Sequence, residues 1–138
     1  MASPTAEPVH RHGFFIRHWI ATLVTVVIAT PIIVFALWAT ITLHYTYSTG
    51  ERAGFLLKIS RKGWLCKTWE GELQLVAIPG AAPEKFSFST RSDSIADLLN
   101  KYNGQRVVVE YAQHKGVPTS CFGDTEYFVT GVRPVNGA

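Results

Sequence analysis

The sequence predicts one membrane-spanning helix followed by a small, mainly β domain: a five-stranded barrel carrying a single helix, in the order β-β-β-α-β-β. Three observations support it. An uncharged apolar run of 25 residues lies near the N-terminus. Short alternating segments separated by Gly- and Pro-containing turns fill the remainder. One amphipathic stripe falls between the third and fourth of these segments. The alternative arrangement is an open α+β sheet covered by the same helix.

Residues 1–13, "MASPTAEPVHRHG", hold two prolines and no apolar periodicity, and are expected to be a disordered tail. A transmembrane helix is expected over 14–44. Its core, Trp19 to Leu43, is 25 residues without a charge, or roughly 37 Å of helix at ~1.5 Å per residue. That is enough to cross a hydrocarbon layer about 30 Å thick with some tilt. Trp19, Trp38, Tyr45 and Tyr47 stand where interfacial aromatics belong. Pro31 removes a backbone donor near the middle and is expected to kink the helix. The run is too long for the core of a cleaved signal and lacks a small-x-small cleavage site, so it reads as an uncleaved anchor. Ala21, Thr25 and Ala29 recur at i, i+4 and i+8. They form a small-residue face on which a partner helix, or a second copy, could pack.

A linker over 45–53 leads to the β domain at 54–138. "GFLLKIS" alternates as a first strand, and "RKG" turns the chain. A long second strand from Trp64 to about Ile78 places Trp64, Cys66 and Thr68 on one face and Leu73 and Leu75 on the other. Gly71 is the expected bulge that changes the phase. "KFSFST" (85–90) sets Phe86 and Phe88 on a common face. Ser94 is the expected cap of the helix, with Asp97 three residues on. Ile95, Leu98, Leu99 and Tyr102 make its apolar stripe, and Gly104 ends it. Residues 105–113 and 126–135 complete the strands. This order and length match the oligonucleotide/oligosaccharide-binding (OB) barrel, which also places a helix between strands three and four.

The chemistry-bearing residues cluster in "RKGWLCKTWEGEL". Arg61, Lys62, Trp64 and Trp69 resemble a stacking-plus-charge platform of the kind that holds single-stranded nucleic acid or sugar. Nucleic acid is nevertheless disfavoured. From His44 onward the chain carries eleven basic and nine acidic side chains, a weak field for a polyanion. Alternation would also send the two tryptophans to opposite faces, one to the core and one to the rim. Glu70 and Glu72 share a strand face about 6–7 Å apart, a geometry that an envelope glycan-acting enzyme could use. The loop from His114 to Asp124 completes the candidate binding surface. Walker, Rossmann, G-x-S-x-G and paired C-x-x-C motifs are absent. The chain therefore reads as a binding protein rather than an enzyme, with no cofactor or metal ligand set.

Topology follows from charge and cysteine. Arg11 and Arg17 precede the span, whereas "HYTYSTG" behind it is uncharged, so the N-terminus is expected inside and the β domain outside. Counting on to Lys58, Arg61 and Lys62 reverses the vote, but these residues lie in a folded domain, and large domains translocate largely regardless of charge. The two cysteines, Cys66 and Cys121, both lie in the β domain. An even pair in a small extracytoplasmic domain suggests one disulfide.

"YSTGERAGFLLKISRKGWLCKTWEGEL" (47–73) with "CFGDTEYFVTGV" (121–132) resembles a family of small single-span bacterial inner-membrane proteins. Relatives of that type sometimes carry the label 6-phosphogluconate dehydrogenase. That enzyme's Rossmann glycine fingerprint has no counterpart here, so the resemblance implies bacterial origin and membrane placement and supplies no activity. The function expected is that of an inner-membrane accessory protein, bilayer-anchored. It would present its β domain in the periplasm to recruit or steady an envelope protein. If the topology were inverted, a cytoplasm-facing nucleic-acid binder would take its place.

Overall fold

The structure, a computed structural model, describes residues 12–76 and 79–135. The expected tail lies outside the described residues up to Arg11. The chain divides after Trp38 into two compact units.

The first unit is most of helix α1 (His12–His44). Large apolar side chains are exposed around its whole circumference, among them Trp19, Val27, Ile32 and Leu37, so it has no polar face to offer water. The segment His18–His44 is long and apolar enough to cross a membrane. Its hydroxyls suit that medium. Thr22, Thr25 and Thr30 each donate to the carbonyl four residues back, at 2.7–2.8 Å, leaving no unpaired hydroxyl proton for hydrocarbon. The helix assignment runs through Pro31 without interruption.

The second unit starts with the last turn of α1 and continues through β1 (Ser48–Lys62), β2 (Thr68–Leu75), β3 (Lys85–Thr90), α2 (Asp93–Lys101), β4 (Arg106–Gln113) and β5 (Tyr127–Pro134). The strands follow the order β1-β2-β3-β5-β4 and close on themselves. β1 serves both halves of the sheet. Its first half pairs with β4, from Ser48↔Gln113 to Phe55↔Arg106, and its second half with β2, ending at Lys62↔Thr68. The seam between β3 and β5 is thin, a single parallel position at Ser89↔Phe128.

The structure corrects several local expectations. β1 begins at Ser48, so the linker shrinks from 45–53 to Tyr45–Tyr47. "STGERA" has no apolar alternation to announce a strand; antiparallel pairing with β4, from Ser48↔Gln113 to Ala53↔Val108, recruits it. β2 is short, starting at Thr68, and residues 63–67 form a loop. The bulge lies in β1, between Leu56 and Lys58, rather than at Gly71. Across it the buried parity flips: Gly54 and Leu56 face inward before, Ile59 packs on the core after. β2 keeps one phase, with Gly71 and Leu73 inward. Gly71 is needed for space, because a Cβ there would sit 2.3 Å from the Phe88 ring. α2 is capped by Ser92 rather than Ser94; its hydroxyl accepts from the Ile95 N–H. Leu99 and Ala96 carry its burial, while Leu98 is exposed. The core comprises Leu56, Leu73, Phe86, Phe88, Leu99, Val107, Val109 and Val129.

Candidate binding site

The outer face of β2 and β3 carries Thr68, Glu70 and Glu72 opposite Ser89 and Ser87. Two loops flank it: the β1–β2 loop (63–67) and the β4–β5 loop (114–126). The first turns on Gly63, whose φ is +129°. A Cβ there would lie 1.7 Å from the Cys66 carbonyl oxygen, so no other residue fits this turn. Cys66 of the first loop and Cys121 of the second stand at disulfide distance, with Sγ atoms 2.09 Å and Cα atoms 4.9 Å apart. The pair ties the two loops together over the strand face.

Beneath that tie, Glu70 is only 5% exposed. Its Oε1 accepts from the Thr68 hydroxyl at 2.8 Å and the Asp124 backbone N–H at 3.1 Å; its Oε2 accepts from the Ser89 hydroxyl at 2.6 Å. Three donors around one carboxylate satisfy the charge that burial would otherwise strand. With its proton committed to Glu70, Ser89 Oγ acts as acceptor for the Thr125 backbone N–H at 3.1 Å. The β4–β5 loop is thus fastened to β2 and β3 by a buried polar network, and Glu70 is its centre.

Glu72, one pleat away, is different. Lys58 Nζ lies 2.9 Å from its carboxylate, and the hydrogen bond from Lys58 holds the Glu72 carboxyl below its usual range. Glu70 and Glu72 do share a face, yet one is enclosed structure and the other a surface ion pair. Together with Lys58, Lys62, Ser87, Asp124 and Thr125 they line a cleft of about 200 Å³. Its walls hold both signs of charge and no aromatic ring.

The other expected residues are distributed as follows. Trp64 is in the β1–β2 loop and fully exposed, at 101%, with Leu65 beside it at 90%. Trp69 is half-buried; its indole N–H donates to Asp93 at 2.8 Å, and the Arg61 guanidinium lies 5.7 Å from its ring centre. Neither tryptophan enters the core, and they do not form a shared platform. His114 is buried rather than on the surface: it packs edge-on to Phe128 with Nδ1 3.1 Å from the Tyr45 carbonyl oxygen. Asp124 is exposed at the cleft's edge. On α1, Thr25 turns its hydroxyl to the Ala21 carbonyl, and Ala21, Thr25 and Ala29 face outward or nearly so. Lys58, Ser87, Ser89 and Thr125 were not legible as site residues, because lone lysines and small hydroxyls carry no pattern until pairing aligns them. Among the described residues no cluster of three or more His, Cys, Asp or Glu could hold a metal ion.

Five strands in this order, a helix between β3 and β4, and two loops bracketing the β2–β3 face define an OB-like domain behind an apolar helix. Residues 45–138 match the model of a domain of unknown function, DUF8785, and the chain belongs to that family. No curated protein matches it. Among solved structures it is similar to the mitochondrial single-stranded DNA-binding protein Rim1 of S. cerevisiae. The two share 8% identity at a TM-score of 0.52, over 68% of this chain and 99% of that one. At that identity the likeness is one of fold.

Proposed function

We propose that this is a bacterial inner-membrane binding protein without catalytic activity, anchored by α1 and displaying its OB-like domain in the periplasm to hold an envelope protein. The observation that carries the reading is the cleft beside Glu72. It is polar and of mixed charge; Glu70 in its wall holds the β4–β5 loop in place, and Cys66–Cys121 ties that loop to the β1–β2 loop. Such a cleft suits a protein segment offering both an acidic and a basic side chain. Preorganisation by the tied loops reduces the ordering that binding would require. The anchor adds effective concentration at a membrane partner. The test is photo-crosslinking in cells from a benzoylphenylalanine placed at Ser87. A discrete protein adduct that disappears in the Lys62→Glu background is expected. An adduct pattern identical to one from exposed Arg106, on β4 away from the cleft, would refute the cleft as the docking site.

Glycan hydrolysis finds little support, because Glu70 is enclosed by three donors and the Glu72 carboxylate is engaged by Lys58. Rim1 is a single-stranded DNA-binding protein, and that likeness of fold favours nucleic acid as a second reading. Against it, the cleft on the β2–β3 face holds two glutamates and no aromatic side chain on which a base could stack.

A further inference from the structure

The cleft reading leaves the most exposed apolar pair of the second unit unused. Trp64 and Leu65 project at the tip of the β1–β2 loop, 101% and 90% exposed. They are not a floppy excursion: Gly63 sets the turn, and the next residue, Cys66, is covalently tied to Cys121. Arg61, Lys62 and Lys67 flank them, all exposed, and no acidic residue occurs from Arg61 to Thr68. A disulfide-tethered Trp-Leu tip with exposed cations on both sides in the sequence is a chemical match for a bilayer surface, with the indole at the headgroup level, leucine at the acyl boundary and cations within reach of phosphates.

The loop that holds the tip also touches the end of α1. The β4–β5 loop begins at His114, whose ring meets the Tyr45 carbonyl. A Cβ on Gly116 would sit 3.6 Å from the Thr42 Cγ2. Thr42 to Tyr45 is where the uncharged run ends, which is the headgroup level if α1 spans. From Gly116 to Cys121 is five residues, at most about 18 Å of chain, and Cys121 is joined to the residue beside Leu65. The tip is therefore tethered within reach of the bilayer in which α1 would sit.

We propose that Trp64 and Leu65 insert into the anionic headgroup layer of that same membrane, giving the domain a second, electrostatically selected foothold. This rests on the reading of α1 as a membrane span. It goes beyond protein docking at the cleft, which it would hold at a fixed orientation to the lipid surface.

The experiment uses the full chain in nanodiscs of phosphatidylcholine, with or without phosphatidylglycerol, each carrying brominated acyl chains. Emission of wild type minus Trp64→Phe isolates the tip, and wild type minus Trp19→Phe isolates the span. The expected result is Trp64 emission that is blue-shifted and at least halved by bromolipid in the anionic discs. Quenching should be weaker in phosphatidylcholine alone, and weaker in anionic discs for Lys62→Glu/Lys67→Glu. Trp64 emission that stays at the water position while Trp19 is quenched would overturn the proposal and leave the anchor standing, with the tip free for a protein. Equal quenching in both discs would overturn the selection of anionic lipid. If Trp19 is not quenched either, the anchor reading itself fails and the proposal falls with it.

Discussion

The Glu70 carboxylate accepts a 3.1 Å hydrogen bond from the Asp124 backbone N–H, 54 residues further along the chain. All three groups facing that carboxylate are donors. An amide in its place would offer one acceptor oxygen and turn an NH₂ toward a donor. Glu70→Gln is therefore expected to destabilise the domain by about 2–4 kcal/mol, since hydrogen bonds to a charged group are lost and their buried partners stranded. Denaturant unfolding of the full chain in detergent would measure it. Hydrogen exchange at the Asp124 and Thr125 amides should accelerate in the same variant.

Gly71→Ala tests whether space, rather than backbone freedom, requires the glycine. The added methyl would meet the Phe88 ring at 2.3 Å, and overpacking of this kind costs about 1–3 kcal/mol. Phe88→Leu in the same chain should recover part of the loss. Failure of the second substitution to recover any would show that the strand, and not the ring, resists the methyl.

Cys121→Ser removes the tie between the two loops. A bridge closing 55 residues is worth about 4 kcal/mol by loop entropy. The wild-type Tm should fall in reductant, whereas that of Cys121→Ser should start low and not respond. A wild-type Tm unmoved by reductant, despite complete thiol labelling, would contradict the expected contribution.

The Lys58–Glu72 pair gives a pH signature. The folded carboxyl titrates below its usual value of 4.5, with the Lys58 hydrogen bond as the leading cause. A group whose folded value is depressed stabilises the fold above its unfolded value and loses that stabilisation as pH falls through the folded one. The stability difference between wild type and Glu72→Gln should therefore be constant above about pH 4.5 and close below it. The effect will be small, because the pair is solvent-screened, and difference scans between pH 3 and pH 6 would resolve it.

Much of this architecture was legible in the residues, and the failures have a common cause. Phe86 and Phe88 announced β3 because a period of two survives in sequence, and the long uncharged run announced α1 because it has the length and apolar character of a membrane-crossing helix. Ser48 to Ala53 gave no such signal, since a strand recruited by pairing needs no apolar alternation. The phase change between Trp64 and Leu73 is visible in the sequence but does not arise at Gly71. It reflects a tight loop at Gly63, where a bend cannot be told from a strand by parity alone. Glu70 and Glu72 looked equivalent at two-residue spacing. What separates them is a loop arriving from 54 residues away, and no local pattern records it.

The Cys66–Cys121 link has a mechanical consequence. Held at α1 and pulled from the end beyond β5, the chain would transmit load from β1 to β5 across the two sulfur atoms. The 55-residue span between them would be short-circuited, withholding roughly 180–200 Å of contour length from extension. Under tension the domain would yield at the thin β3–β5 seam, yet it would pay out only its outer strands, behaving as a short, stiff leash.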